Sequence, residues 1–92
     1  MIADMAMVTI RYWAAAKEAA GVAAESCEAG TLAEALAAVL ARRDDGAGDR
    51  LRAVLSRSSF LIDGSPAGVR RHEDISLTGS AVIEVLPPFA GG

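Results

Sequence analysis

Apolar and polar residues alternate with a period of two over Val8-Thr9-Ile10-Arg11-Tyr12-Trp13, which predicts a strand. Val8, Ile10 and Tyr12 fall on one face, and Thr9, Arg11 and Trp13 on the other. Residues 1–7 lack such a pattern and read as a loose lead-in. An alanine-rich stretch, Ala14 to Ala20, then predicts a short helix, with Gly21 as its left-handed stop. Glu25-Ser26-Cys27-Glu28 is a short candidate strand and the natural partner of the first.

The firmest local signal is Thr31-Leu32-Ala33-Glu34, a capping box in which the Thr31 hydroxyl accepts from the Glu34 amide and the Glu34 side chain reaches back. Leu32, Leu36, Val39 and Leu40 follow at helical spacing and form one apolar stripe. Arg42 and Arg43 are assigned to the last turn, where cations complement the helix dipole. Asp44 to Asp49 reads as a loop, and Leu51, Val54 and Leu55 as a further short helix. Phe60-Leu61-Ile62 is a brief apolar run stopped by the turn pair Asp63-Gly64. Residues 65–78 are turn-rich, with room for one uncertain strand. Ala81 to Leu86 is a last strand, ended by Pro87-Pro88, which lack ladder donors.

One helix stripe and one sheet face can bury each other, so this order predicts an α+β domain, a small mixed sheet wrapped over one main helix. The expected division is a lead-in at 1–7, a domain at 8–86 and an extended arm at 87–92. Because the last strand runs into the arm, the arm must leave from a sheet end. If Ile83 and Val85 face inward, Val82, Glu84 and Leu86 face outward beside Trp13, and large exposed apolar groups on neighbouring strands mark a contact surface. A covering loop at the strand ends is the competing explanation.

Composition narrows the function. No apolar run approaches the about 18 residues of a membrane span, so no membrane partner is expected. The single cysteine, Cys27, excludes an internal disulfide and a multi-cysteine zinc site and fits a cytoplasmic location. The net charge is −3, and the basic residues come in pairs, Arg42-Arg43 and Arg70-Arg71, rather than a stripe, so nucleic acid is not an expected partner. His72, between Arg71 and Glu73, reads as solvated surface. No phosphate loop, metal-ligand spacing or nucleophile motif occurs, so neither a metal nor any bound cofactor is expected.

The most informative segment is Leu86-Pro87-Pro88-Phe89-Ala90-Gly91-Gly92. Two terminal glycines weaken ordinary structure and leave the last carboxylate on a bare, narrow arm. Fraying ends are also rich in small residues, which is the plainer reading of a Gly-Gly pair alone. Prolines at 87 and 88 bias the start of the arm to an extended course, giving a reach on the order of 20 Å at about 3.1–3.6 Å per residue. Pre-extension lowers the entropy lost when the arm enters another protein.

On these residues, with the first strand running into Tyr12-Trp13-Ala14 and the capped helix at Thr31 to Leu40, the chain resembles the ubiquitin-like sulfur carriers of the MoaD/ThiS family. Its Pro-Pro-x-x-Gly-Gly ending is most like the branch formed by the small subunit of molybdopterin synthase. The resemblance implies a β-grasp fold and two partners. An ATP-dependent adenylyltransferase activates Gly92, and a large synthase subunit, which holds the catalytic residues, receives the sulfur. The chain would then be a covalent co-substrate with no catalytic residue of its own.

That chemistry has a physical basis. A free carboxylate resists a sulfur nucleophile because its leaving group would be oxide. Adenylation at the expense of ATP supplies a good leaving group, and sulfur delivered by a persulfide then gives a Gly92 thiocarboxylate. Side chains at Gly91 and Gly92 would obstruct the narrow channel this requires. The implied acceptor is cyclic pyranopterin monophosphate, converted to the molybdopterin dithiolene. Trp13, Leu86, Pro87, Pro88, Phe89 and Ala90 are the expected partner-binding residues, with Phe89 seated in a partner pocket. Cys27 reads as a small buried side chain in preference to a sulfur acceptor. Other acceptors (thiamine thiazole, cysteine or thiolated tRNA) stay open, as do isopeptide conjugation through Gly92 and a β-grasp interaction module without covalent chemistry.

Overall fold

The computed structural model describes residues 5–88, and its first element is the strand β1 (Ala6–Tyr12). The strand starts inside the predicted lead-in. Ala6 is fully buried, Met7 is exposed, and the Met7 amide donates to the Gly79 carbonyl at 2.8 Å. The alternation of Val8, Ile10 and Tyr12 therefore extends two residues further back than expected. Alanine at an inward position carries too little hydrophobic signal for this to be visible in the sequence.

Helix α1 (Ala15–Ala20) ends as predicted on Gly21, whose φ of 82° is left-handed and whose amide donates to the Lys17 carbonyl. Strand β2 (Ala24–Ala29) pairs antiparallel with β1, Val8 opposite Cys27. Helix α2 (Leu32–Ala41) opens on the capping box. The Glu34 amide donates to Thr31 Oγ1 at 3.1 Å, and the Gly30 amide donates to Glu34 Oε1 at 2.7 Å.

Two expectations fail just beyond α2. Arg42 is the C-terminal cap and Arg43 lies outside the helix, so neither belongs to its last turn. The predicted loop at 44–49 is instead the start of helix α3 (Asp45–Leu55). Asp44 caps it, its side chain accepting from the Ala47 amide, and this offsets the low helix preference of Gly46 and Gly48. The helical layer thus contains two helices of similar length where one main helix was expected.

Strands β3 (Ser59–Ile62) and β4 (Ser65–Pro66) form a hairpin around Asp63 and Gly64. Both turn residues have positive φ, 51° and 84°, the geometry that matches strand twist in a two-residue connection. Asp63 also grips the next strand, its amide donating to the Val82 carbonyl and its Oδ1 accepting from the Val82 amide. Residues 67–79 hold one 3₁₀ turn, His72–Asp74, and a strap that anchors the start of α2. In the strap the Leu32 amide donates to the Ile75 carbonyl and the Leu77 amide to the Gly30 carbonyl. His72 is half-buried, edge-on to the Phe60 ring at 5.1 Å, and so is not the freely solvated residue expected.

Strand β5 (Ser80–Leu86) completes a five-stranded mixed sheet in the order β2-β1-β5-β3-β4. β5 runs parallel to β1 and antiparallel to β3. Val8, Ile10, Tyr12, Ile83 and Val85 lie on the inner face and share one core with Leu32, Val39 and Leu51 of the helices. The inward and outward sets of β1 and β5 are those the alternation predicts.

Candidate functional site

The site of interest is the sheet end from which the arm departs. Because β1 and β5 are parallel, both finish at that end, with Tyr12 paired to Val85. Pro87 and Pro88 have no N–H and end the ladder, and each also holds the residue before it in an extended course. Leu86 and Pro87 are half-buried and Pro88 is exposed. Of the predicted site, Trp13, Leu86, Pro87 and Pro88 therefore share one end of the sheet. Phe89, Ala90, Gly91 and Gly92 lie outside the described residues.

Trp13 continues the pairing one step past β1, its backbone N–H donating to the Val85 carbonyl at 3.3 Å. The residue is 42% exposed, as the alternation predicts for the outer face. The indole N–H donates to Glu84 Oε1 at 3.1 Å, and the Arg11 guanidinium lies 5.2 Å from the ring centroid. Ala14, next in the chain, has φ 50° and ψ −123°, a conformation that costs a non-glycine residue about 1–3 kcal/mol. The strained step lets the chain leave the strand and enter α1 at once, with the Ala16 amide returning to the Trp13 carbonyl. Trp13, Ala14, Lys17, Gly21 and Val22 line an open groove beside this turn. Val82 and the more exposed Met7 add apolar surface on the same sheet face. Met7 is missing from the sequence reading because it falls within the supposed lead-in.

A second feature behind this end also escapes the sequence reading. Glu25 Oε2 accepts from the Tyr12 hydroxyl and from Arg43, each at 2.6 Å, while Oε1 accepts from Arg42 at 3.1 Å. Arg43 also donates to the Val39 and Ala20 carbonyls, joining the C-terminal ends of α1 and α2 to the sheet. With its side chain only 11% exposed, Arg43 is a structural brace rather than a solvated cation. The adjacent Arg42-Arg43 pair is the one clue to it in the sequence, and nothing local to that pair points to Glu25.

Burial works to raise the Glu25 carboxyl, but hydrogen bonds from Arg43, Tyr12 and Arg42 outweigh it and hold the group below the usual carboxylate range. Burial, reinforced by the Glu25 bond, pushes the Tyr12 phenol far above its ordinary value. Burial also raises the Cys27 thiol, the opposite of what a reactive thiolate requires. On the surface, the hydrogen bond from Arg71 holds the Glu73 carboxyl below its usual range. Among the described residues no cluster of three or more His, Cys, Asp or Glu could hold a metal ion, and no helix is long and apolar enough to cross a membrane. The described residues thus place the end of β5, with Pro87 and Pro88 following it, beside the exposed Trp13.

Residues 10–92 match the ThiS family. No curated protein matches the sequence. Among solved structures, the small archaeal modifier protein 1 (SAMP1) of Methanosarcina acetivorans is similar with a TM-score of 0.78 at 21% identity, over 98% of this chain and 100% of that one. SAMP1 of Haloferax volcanii gives a TM-score of 0.70 at 20% identity, over 94% of this chain and 99% of that one. A complex of subunits 1 and 2 of the molybdopterin-converting factor from Helicobacter pylori gives 0.63 at 24% identity, over 94% of this chain and 99% of that one. The shared architecture is the ubiquitin-like β-grasp fold.

Proposed function

The chain belongs to the ThiS family of ubiquitin-like sulfur carriers, and from that premise we propose that it is the sulfur-carrier subunit of a molybdopterin synthase. In this reading an ATP-dependent adenylyltransferase joins AMP to the Gly92 carboxylate and releases pyrophosphate. The terminal sulfur of a donor persulfide then displaces AMP to form an acyl disulfide. A second thiol cleaves it, releasing the Gly92 thiocarboxylate and leaving a disulfide on the donor side. The arm enters the large synthase subunit, where the sulfur passes to cyclic pyranopterin monophosphate. Catalytic groups reside in the large subunit, and the carrier itself binds no cofactor. The setting is cytoplasmic.

The observation that carries the reading is that the family match runs through residue 92 and so includes the Gly91-Gly92 arm. The likeness to a molybdopterin-converting factor subunit in complex with its partner supports a large-subunit partner. The geometry agrees: the arm's stem is a central strand paired on both sides, beside the exposed Trp13. Trp13 and Leu86 form the docking surface with the arm residues Pro87, Pro88, Phe89 and Ala90. Replacing Trp13 by Ala weakens partner binding with little change in melting temperature, whereas a large loss of stability would assign the ring to the core.

The chemical test is an intact mass after incubation with ATP, Mg²⁺, the adenylyltransferase and a sulfur donor. The expected result is the gain for exchange of one oxygen by sulfur at Gly92, and no gain with a demonstrably active partner would refute carriage. Production of molybdopterin from cyclic pyranopterin monophosphate by the charged carrier and a large subunit then tests the acceptor. The likeness to small archaeal modifier proteins favours one second reading, isopeptide attachment of Gly92 to a lysine. Higher-mass adducts retaining a Gly-Gly remnant would support it.

A further inference from the structure

We propose that Trp13 is a positioning residue for the arm, holding its root in a fixed direction through the indole N–H bond to Glu84. The inference rests on the carrier reading above and assigns a function to one side-chain pair within that site. Glu84 lies two residues before Leu86, the last residue of β5, and is paired with Arg11 of β1 on one side and Leu61 of β3 on the other.

The root needs such support because its two flanks differ. Toward β3, pairing continues to the last residue of β5, with Ser59 opposite Leu86. Toward β1, the paired register stops at Tyr12 opposite Val85, and one further bond remains, from the Trp13 amide to the Val85 carbonyl. At 3.3 Å it is among the longer backbone bonds here, and the chain turns away immediately at the strained Ala14. The indole bond to Glu84, with Arg11 over the ring, ties the Trp13 side chain back to β5 across the same gap. The root is thereby held on both sides. Pro87 restricts Leu86 to an extended course, so the orientation of the last β5 residues sets the direction in which the arm sets out. A terminal carboxylate presented to an active site reacts efficiently only when its approach is well oriented.

The test uses the full chain with its adenylyltransferase, following pyrophosphate release as carrier concentration is varied. Trp13→Phe keeps a ring and removes the indole donor, while Glu84→Ala removes the acceptor. Each is expected to lower kcat by about 2- to 10-fold, the value of one lost hydrogen bond, and in Glu84→Ala, which leaves the indole in place, KM for the carrier stays nearly unchanged. The double variant should be no worse than either single one, because both remove the same bond. Glu84→Gln, which retains an oxygen acceptor, should restore the rate. Additive losses in kcat, a rise in KM alone in Glu84→Ala, or wild-type kinetics in Glu84→Ala would each overturn the proposal.

Amide ¹⁵N relaxation at Leu86 supplies a readout that needs no partner. Its order parameter should fall in both single variants, and an unchanged value refutes positioning whatever the kinetics. If the wild-type chain is never adenylated, the carrier reading fails, while Leu86 relaxation still decides whether Trp13 and Glu84 fix the root.

Discussion

Replacing Glu25 by Ala tests whether the brace behind the arm is a principal source of stability. The Glu25 side chain is 15% exposed and Arg43 11%, so their bond is largely shielded, whereas Arg42 is 45% exposed. The exposed pair contributes only about 0–1 kcal/mol. A shielded hydrogen bond to a charged group contributes about 1.5–3 kcal/mol, and a buried hydroxyl left without a partner costs about 1–3 kcal/mol. Tyr12 would become such a hydroxyl, while Arg43 keeps the Val39 and Ala20 carbonyls. Water reaching the partly open site reduces the total, and a net loss of about 2–3 kcal/mol is expected. For a domain of this size that lowers Tm by roughly 10–20 °C. Urea unfolding followed by circular dichroism measures the change, with an unaltered m-value showing that the unfolding transition is otherwise the same. Adding Tyr12→Phe to Glu25→Ala should cost less than the sum of the single changes, since it removes the stranded hydroxyl. A loss below about 0.5 kcal/mol, of surface-pair size, or strict additivity, would refute the brace. The Glu25 contribution is present above the unfolded carboxyl value of about 4.3 and is lost as pH falls through its lower folded value. The gap between wild type and Glu25→Gln should therefore close in that acid range.

Three further outcomes are expected. Thr31→Ala removes the α2 cap and costs about 1 kcal/mol in urea unfolding, while Thr31→Ser keeps the acceptor and retains most of that stability. Ala14→Gly relieves a positive φ, and after the entropy glycine gains in the unfolded chain it should stabilise the protein by up to about 1 kcal/mol, read as a higher urea midpoint. Tyr12 retains its phenolic proton in the fold above the ordinary value of about 10, so its contribution is full below that pH and declines as pH rises beyond it. Tyr12→Phe should flatten this alkaline limb in a series of urea melts.

Local chemistry was legible from the residues alone. The Thr31 capping box, the Asp63-Gly64 turn and the alternation of Val8, Ile10 and Tyr12 each depend on a few neighbours, and each appears in the structure where expected. The failures have physical reasons. Ala6 is too small to announce a buried position, and Gly46 and Gly48 obscure a helix that Asp44 nonetheless caps. Contacts that join distant segments leave no local pattern. Trp13 and Glu84 are 71 positions apart, and the Glu25 brace gathers groups from β1, β2 and the residues after α2. The outward position of Trp13 could be inferred from the sequence, but its attachment to the neighbouring strand could not.

The parallel pairing of β1 with β5 also constrains how the chain acquires its shape. Val8 meets Ala81, so the middle of the sheet closes only when two segments separated by nearly the whole domain have found each other. Local hairpins and helix turns can form and dissolve beforehand, yet none of them supplies that pairing. A large loop-closure entropy must be met before the central contacts return any stability, which favours slower folding than in a helical bundle of equal length. Weakening the β1–β5 seam should therefore slow refolding, and a polypeptide lacking its last strand should remain a collapsed intermediate with unpaired strand edges, open to aggregation.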